Sequence, residues 1–384
     1  MRLLQSRAYL FVTFLLLYKP VCVSDLPALA ALDRAWDAAR YLAVGAGLLV
    51  WLIFYRSLSK WMLALAAFCG ARLLTTWSRL GSFGSTLPMI VVSTLSAAAI
   101  TEMAVRTGRR AFLDGASLAL GLLTAAHFAT VLAFPGGMYA TAAYRENYLL
   151  GYDNAALTTL LPAVCLAALR DCERGRRLSV RTAAVCACAA GAACRSWTVT
   201  SAAVTLLFLL AVLLSAAGWR PRVVNAGTAL AGNALVFAGL VCFGVQERFS
   251  RFLERALHKD ATLSGRAWIW ERAGDAFARS PLTGVGLPEP AEARALIGAT
   301  HAHNFYLDLA FTGGLVCVAA FFLLLFLCAR RLWRFRKTRA GFLLTAAFGC
   351  LLLAFQMEPY RFHNFLLFTL CFFAGEFSTG EAAP

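Results

Sequence analysis

Residues 304–329 read NFYLDLAFTGGLVCVAAFFLLLFLCA, a run in which Asp308 carries the only charge. A helix crossing the hydrocarbon of a bilayer needs roughly 20 mostly apolar residues, so this stretch is long enough to span. It lacks the strict alternation of a barrel strand, and only helices and closed barrels satisfy every backbone group in lipid. Arg330, Arg331, Arg334, Arg336, Lys337 and Arg339 follow at once, a basic cluster of the kind retained on the cytoplasmic side.

The same grammar of apolar run and basic cluster extends over the whole chain. Of its 384 residues, 60% are hydrophobic and 15% charged, more apolar surface than a soluble domain of this length can cover. Helices are predicted at about 8–23, 41–55, 61–77, 87–105, 111–134, 154–169, 182–196, 199–217, 223–245, 304–329, 340–357 and 363–375. The expected fold is all-α: a polytopic integral membrane protein of about 12 transmembrane helices. Residues 1–384 form a single transmembrane domain, and one large extracytoplasmic loop, 246–303, contains short helices. With the N-terminus inside, the inner segments hold 20 basic residues and the short outer segments 6, so the positive-inside rule leaves both termini in the cytoplasm. Arg2 and Arg7 before the first apolar run also fit a cleavable signal peptide.

The formal charge of +16 lies between spans rather than on one soluble face, which argues against nucleic acid and leaves the bilayer as the partner. Most of the twelve cysteines sit inside predicted spans and no CxxC pair exists, so they read as small hydrophobes rather than metal or redox groups.

The long loop has its own pattern. Ser264 is placed to cap a helix from Gly265 to about Arg279, with Trp270, Ala273, Gly274 and Phe277 on one face and Ser280-Pro281 ending it. A turn-rich segment with Gly284, Gly286, Pro288 and Pro290 follows, then a short helical pattern to about Gly298. The loop carries eight basic and seven acidic residues, so its arginines do not form a crude basic patch.

Candidate chemistry gathers at the outer face. All five histidines, His127, His258, His301, His303 and His363, fall in outer loops or the outer half of a span, and imidazole is the side chain best suited to take a proton near neutral pH. His301, Asn304 and Asp308 recur at i, i+3 and i+7, a stripe on the outer end of the tenth span or simply a hydrated structural one. Arg195 ends the seventh span, whose residues 183–191 are nearly all small. Small residues permit close packing, which would make that helix and its arginine central; snorkelling to the interface is the alternative. Arg266 opens the loop helix, where guanidinium and a helix N-terminus together suit a phosphate.

In order along the chain stand LSGRAWIWE (263–271), SPLTGVG (280–286), HAHNFYL (301–307) and Gly313-Gly314-Leu315, with NYLLGYDN (147–154) and Arg195-Ser196-Trp197 upstream. This order and spacing resembles the O-antigen ligase and polymerase superfamily, most closely over residues 262–316. The resemblance implies a multi-pass glycosyltransferase of the inner (plasma) membrane with its site facing outward. Its donor would be a polyprenyl-diphosphate-linked glycan and its acceptor a hydroxyl on a glycan, lipid or protein. It also implies that Arg195 and Arg266 hold the diphosphate and that His303 is the base. The double histidine leaves His301 as the alternative base, and Asn304 and Asp308 are possible supporting residues. No cofactor is expected, and no outer Asp-x-Asp pair points to a metal, so metal-independent, inverting transfer is expected. Polymerisation of lipid-linked repeats leads; ligation of finished glycan to a lipid A core or protein is second. A transporter or flippase of lipid-linked sugars is the reading from another class, drawing on Glu102, Asp114 and Asp308 in or beside spans.

Overall fold

A computed structural model describes residues 2–54, 58–84, 86–142, 144–196, 198–245, 265–360 and 365–378. Ser264, His258, Trp197, Arg361 and His363 lie outside the described residues, as does the first part of the long loop. Every regular element described is helical, and β-type pairing is limited there to two isolated bridges, Tyr139 with Asn147 and Tyr148 with Gly151.

The helices run α1 (Arg7–Leu17), α2 (Val21–Asp25), α3 (Ala30–Phe54), α4 (Lys60–Leu80), α5 (Thr86–Ala133), α6 (Asp153–Glu173), α7 (Val180–Ser196), α8 (Val199–Ala216) and α9 (Ala226–Phe237). After the long loop's first part come α10 (Arg266–Arg279), α11 (Pro290–Ile297), α12 (Phe305–Arg334), α13 (Arg339–Ala354) and α14 (Phe365–Phe372). Among the described residues, five helices are long and apolar enough to cross a membrane: those within Pro27–Phe54, Thr86–Ala133, Asn154–Glu173, Val199–Ala216 and Phe305–Arg334. The chain is therefore an all-helical, polytopic membrane protein. Segments predicted separately at 87–105 and 111–134 are joined in α5, which is interrupted at Gly108 (φ −157°, ψ 49°). There the backbone of Gln5 packs so closely that a Cβ would lie 3.1 Å from its Cα.

That interruption belongs to one end of the bundle, where a cluster of arginines pairs with carboxylates. Asp114 accepts from Arg170 and Arg174, each at 2.7 Å, and Glu173 from Arg109 at 2.7 Å and Arg110 at 3.0 Å. Glu102 accepts from Ser59 at 2.6 Å and meets Arg106 at 3.4 Å. Carboxylates that could have marked a transport path are thus taken up by structural partners.

The centre of the bundle is α6, 78% of whose apolar window is buried against 17% for the window in α3. Small residues had suggested α7 for that place. Instead α7 buries only one face, Thr182, Val185, Ala189, Ala192 and Ala193, while Ala183, Ala184 and Ala187 are exposed. Close approach is real on the buried face, where a Cβ at Gly191 would fall 2.5 Å from the Phe128 ring. Small side chains permit contact on any face, but they do not supply enough apolar surface to command the core from all sides.

The loop is anchored by a break in α12. Gly314 leaves the helical region (φ 61°, ψ −167°), which frees backbone groups on both sides of it. Phe311 O accepts from Val285 N at 2.9 Å, while Leu315 N and Val316 N donate to Pro281 O and Leu282 O at 2.8 and 3.2 Å. The turn 281–285 thereby replaces the lost helical bonds, as an interrupted helix in a membrane requires. Arg79 of α4 secures the same turn, donating to Thr283 at 2.6 Å and to Ser280.

Candidate active site

The opposite end of the bundle holds a cavity of about 470 Å³ lined by Tyr144, Arg145, Tyr152, Asn154, Thr198, Arg266, His303 and Glu358, among others. Its floor is local chemistry at the start of α12. Asn304 caps that helix, its Oδ1 accepting from Tyr306 N at 3.0 Å and Leu307 N at 3.1 Å, while its Nδ2 donates to Gln356 O at 3.0 Å. Asp308, one turn in, accepts from Ala302 N at 3.2 Å, and Trp270 of α10 donates to Ala302 O at 2.9 Å. The backbone between the two histidines is therefore held on both sides. His303 alone among the described non-glycine residues has positive φ, 50°. Such a conformation costs on the order of 1–3 kcal/mol and persists where its surroundings over-determine it, as these bonds do.

Because α12 starts at Phe305 with Asn304 as cap, His301 lies off the helix and the expected stripe is not a helical face. The two histidines still meet: their ring centroids are 4.1 Å apart, and His303 N donates to His301 Nδ1 at 3.3 Å. That bond puts the proton of a neutral His301 ring on Nε2.

Glu358, just past α13 and 4% exposed at its side chain, joins the pieces. Its Oε1 accepts from Arg266 at 3.2 Å and from Asn154 at 3.1 Å, and its Oε2 stands 3.6 Å from His303 Nδ1. Thr198 fixes Asn154 by donating to its Oδ1 at 3.0 Å. Burial by itself would raise the Glu358 carboxyl, but the approach and charge of His303, then the charges of Arg266 and His301, outweigh it and hold the group below the ordinary glutamate range. The anion persists at neutral pH and is placed to stabilise an imidazolium beside it. Tyr144 and Tyr152 stack with centroids 3.9 Å apart. Burial pushes both phenols up, so they stay neutral.

Arg266 begins α10, its N-cap being Gly265 in the left-handed region (φ 82°). The structure brings Arg266, His303, His301, Asn304 and Asp308 to one place. It does not bring Arg195 into the cavity wall: that side chain is exposed at the end of α7 and donates to Pro135 O at 3.5 Å. Arg145 is the second arginine lining the cavity. Sequence reasoning singles out none of Arg145, Tyr144 and Thr198, and holds Tyr152 only within the stretch 147–154; Glu358, with Arg361 and His363 in the last outer turn, reads either as facing the site or, more simply, as part of an interfacial ion pair. The signal that could have found part of this set was 147–154, whose Asn147 is buried and donates to Tyr144 O at 2.9 Å.

An apolar groove of about 730 Å³ runs between α9, α10 and α12, lined by Phe237, Phe277, Leu307, Leu315 and Phe322 among others. Residues 174–322 match the family model described as O-Antigen ligase. That span takes in α7 to α11 and the start of α12, and so includes Arg195, Arg266, His301 and His303. No curated protein matches the chain.

Proposed function

Because the chain belongs to the O-antigen ligase/polymerase superfamily, we propose that this membrane glycan ligase or polymerase joins lipid-linked oligosaccharide repeats into a surface polysaccharide. In this reading twelve spans hold the site at the extracytoplasmic face of the inner membrane, within the loop 246–303 and the span ends around it. The observation that carries the reading is the convergence of Arg266, His303 and Glu358 on one cavity.

The donor's diphosphate lies against Arg266 at the α10 N-terminus, where guanidinium and backbone N–H groups favour an anion. Arg145 flanks it, and Arg195, exposed at the end of α7 and outside the cavity wall, has to swing in to reach it. The polyprenyl chain lies in the apolar groove that ends near Phe277 and Leu307. Charge that develops on the leaving diphosphate is stabilised by the arginines, which remain cationic throughout. The acceptor hydroxyl gives its proton to His303 as its oxygen attacks the anomeric carbon; the glycosidic bond to the diphosphate breaks, and the centre inverts. Glu358 holds the resulting imidazolium. His301 is the alternative base, and its fixed tautomer favours a donor role at Nε2. No step calls for a metal ion. Transfer of finished glycan to a lipid A core or protein is the second reading, and the cavity suits either acceptor hydroxyl.

Purified protein supplied with a polyprenyl-diphosphate oligosaccharide tests the proposal. Longer glycan and free lipid diphosphate are expected, with His303→Ala lowering the rate about 10² to 10⁴-fold and Arg266→Lys about 10²-fold or more for want of the planar fork. Movement of the substrate between leaflets without cleavage, or near-normal turnover by His303→Ala, overturns it.

A further inference from the structure

We propose that His301, His303 and Glu358 form a transition-metal site, and that a zinc ion bound there takes the lone pair of the base and shuts the enzyme off. One ligand atom from each of the three lies within 4.8 Å of the others. Tetrahedral zinc with bonds near 2.1 Å holds its ligands about 3.4 Å apart, so closure needs a little over an ångström. Side-chain rotation supplies that where two imidazoles already lie with centroids 4.1 Å apart.

Two of the three ligand atoms are open to such an ion, and the third, on His301, becomes so when zinc replaces the hydrogen bond from His303 N to its Nδ1. Glu358 Oε1 is engaged by Arg266 and Asn154, whereas Oε2 faces His303. His303 Nδ1 is buried, and among the described residues its polar neighbour is Glu358 Oε2 at 3.6 Å, beyond normal hydrogen-bond length. The Asn154 bond to Glu358 is the outer-sphere support that ligating carboxylates usually have. Two imidazoles and one carboxylate select zinc, copper or nickel over magnesium and calcium, which want all-oxygen shells. Three protein ligands leave the fourth position for water.

An entry path exists on both sides. The main cavity reaches His303 and Glu358, and a second cavity of about 260 Å³, lined by Lys19, Tyr152, His301, Glu358 and Tyr360 among others, reaches the cluster from behind. Lys19 does not repel a cation there, because it is paired with Asp33 at 2.7 Å and Asp37 at 2.8 Å. The second histidine, His301, makes the difference: without it the cluster is one imidazole and one carboxylate.

The binding half of the proposal stands on this geometry alone; the inhibitory half rests on the transferase reading. Purified protein in detergent is titrated with Co²⁺, read by its visible ligand-field absorption, and then with Zn²⁺ as competitor. One bound ion per chain is expected, with affinity at least tenfold weaker in both His301→Ala and Glu358→Gln and with a thermal midpoint raised by Zn²⁺ in the wild type alone. No absorption change, or equal affinity in wild type and variants, overturns the site. In the glycan assay, Zn²⁺ but not Mg²⁺ should stop wild-type transfer, and a chelator should restore it. Full transfer by the zinc-loaded protein overturns the inhibition. Zinc bound in a protein that transfers no glycan sinks the enzyme reading and leaves the site intact.

Discussion

At the level of single side chains, Glu358 does two jobs with its two oxygens. Oε1 anchors Arg266 and Oε2 faces His303, so one carboxylate sets the spacing between the arginine proposed to hold the leaving phosphate and the imidazole proposed to take the proton. Its removal should therefore hurt more than the loss of an exposed charge. With its folded pKa depressed, its ionised form contributes stability above the unfolded glutamate value, and that contribution disappears as pH falls through the lower folded value. Glu358→Gln should consequently melt below the wild type at pH 7, with the gap closing below about pH 4. Melting curves of the two proteins across pH 3 to 8 check this; a gap that widens in acid contradicts it. Transfer by Glu358→Gln should fall about tenfold or more, because a glutamine cannot stabilise the imidazolium electrostatically.

Among the elements, α12 with its docked turn shows what the glycine motifs are for. The sequence marks Gly284, Gly313 and Gly314; at Gly313 an added carbon would meet the Cys317 side chain, whereas Gly284 and Gly314 serve backbone contact. A Cβ at Gly314 would run into the Leu282 backbone, and one at Gly284 would fall 2.5 Å from Phe311 O; both residues have positive φ. Gly314→Ala should destabilise by about 2 kcal/mol or more through clash and backbone strain together. Gly274→Ala, in α10 with nothing within 4 Å of the added carbon, should be neutral or gain about 0.5–1 kcal/mol. Thermal midpoints of the two variants in detergent decide the matter; equal midpoints mean that the turn does not bind across the break. Since α10 follows through to Trp270 and the histidine loop, loosening this joint should also lower transfer.

For the whole molecule, the largest cluster of arginine–carboxylate pairs and the site lie at opposite ends. Arg109, Arg170, Arg174 and their carboxylates gather at the end marked by Gly108, while Arg266, His303 and Glu358 close the opposite end. The positive-inside rule predicts that the first end is cytoplasmic. A cysteine at exposed Glu271 should react with an impermeant maleimide in intact cells, and one at exposed Arg336 only after permeabilisation. The background for both carries serine at Cys194 and Cys242, the two exposed natural cysteines. The reverse labelling pattern would end the outward-facing reading.

Composition and periodicity alone determined that the chain is helical and polytopic, where most helices begin and end, and that Arg266, His301 and His303 fall between apolar runs. Those features are local: a helix follows from its own apolar run and caps, whatever surrounds it. Only the tertiary structure decided that α6 and not α7 is central, that Arg195 stays outside the cavity wall while Arg145 lines it, and that Asn154, Arg266, His303 and Glu358 share one space. Residues more than 200 apart in the chain, such as Asn154 and Glu358, meet because helices pack. Packing depends on the shapes of all the buried faces at once, which no single stretch of sequence carries.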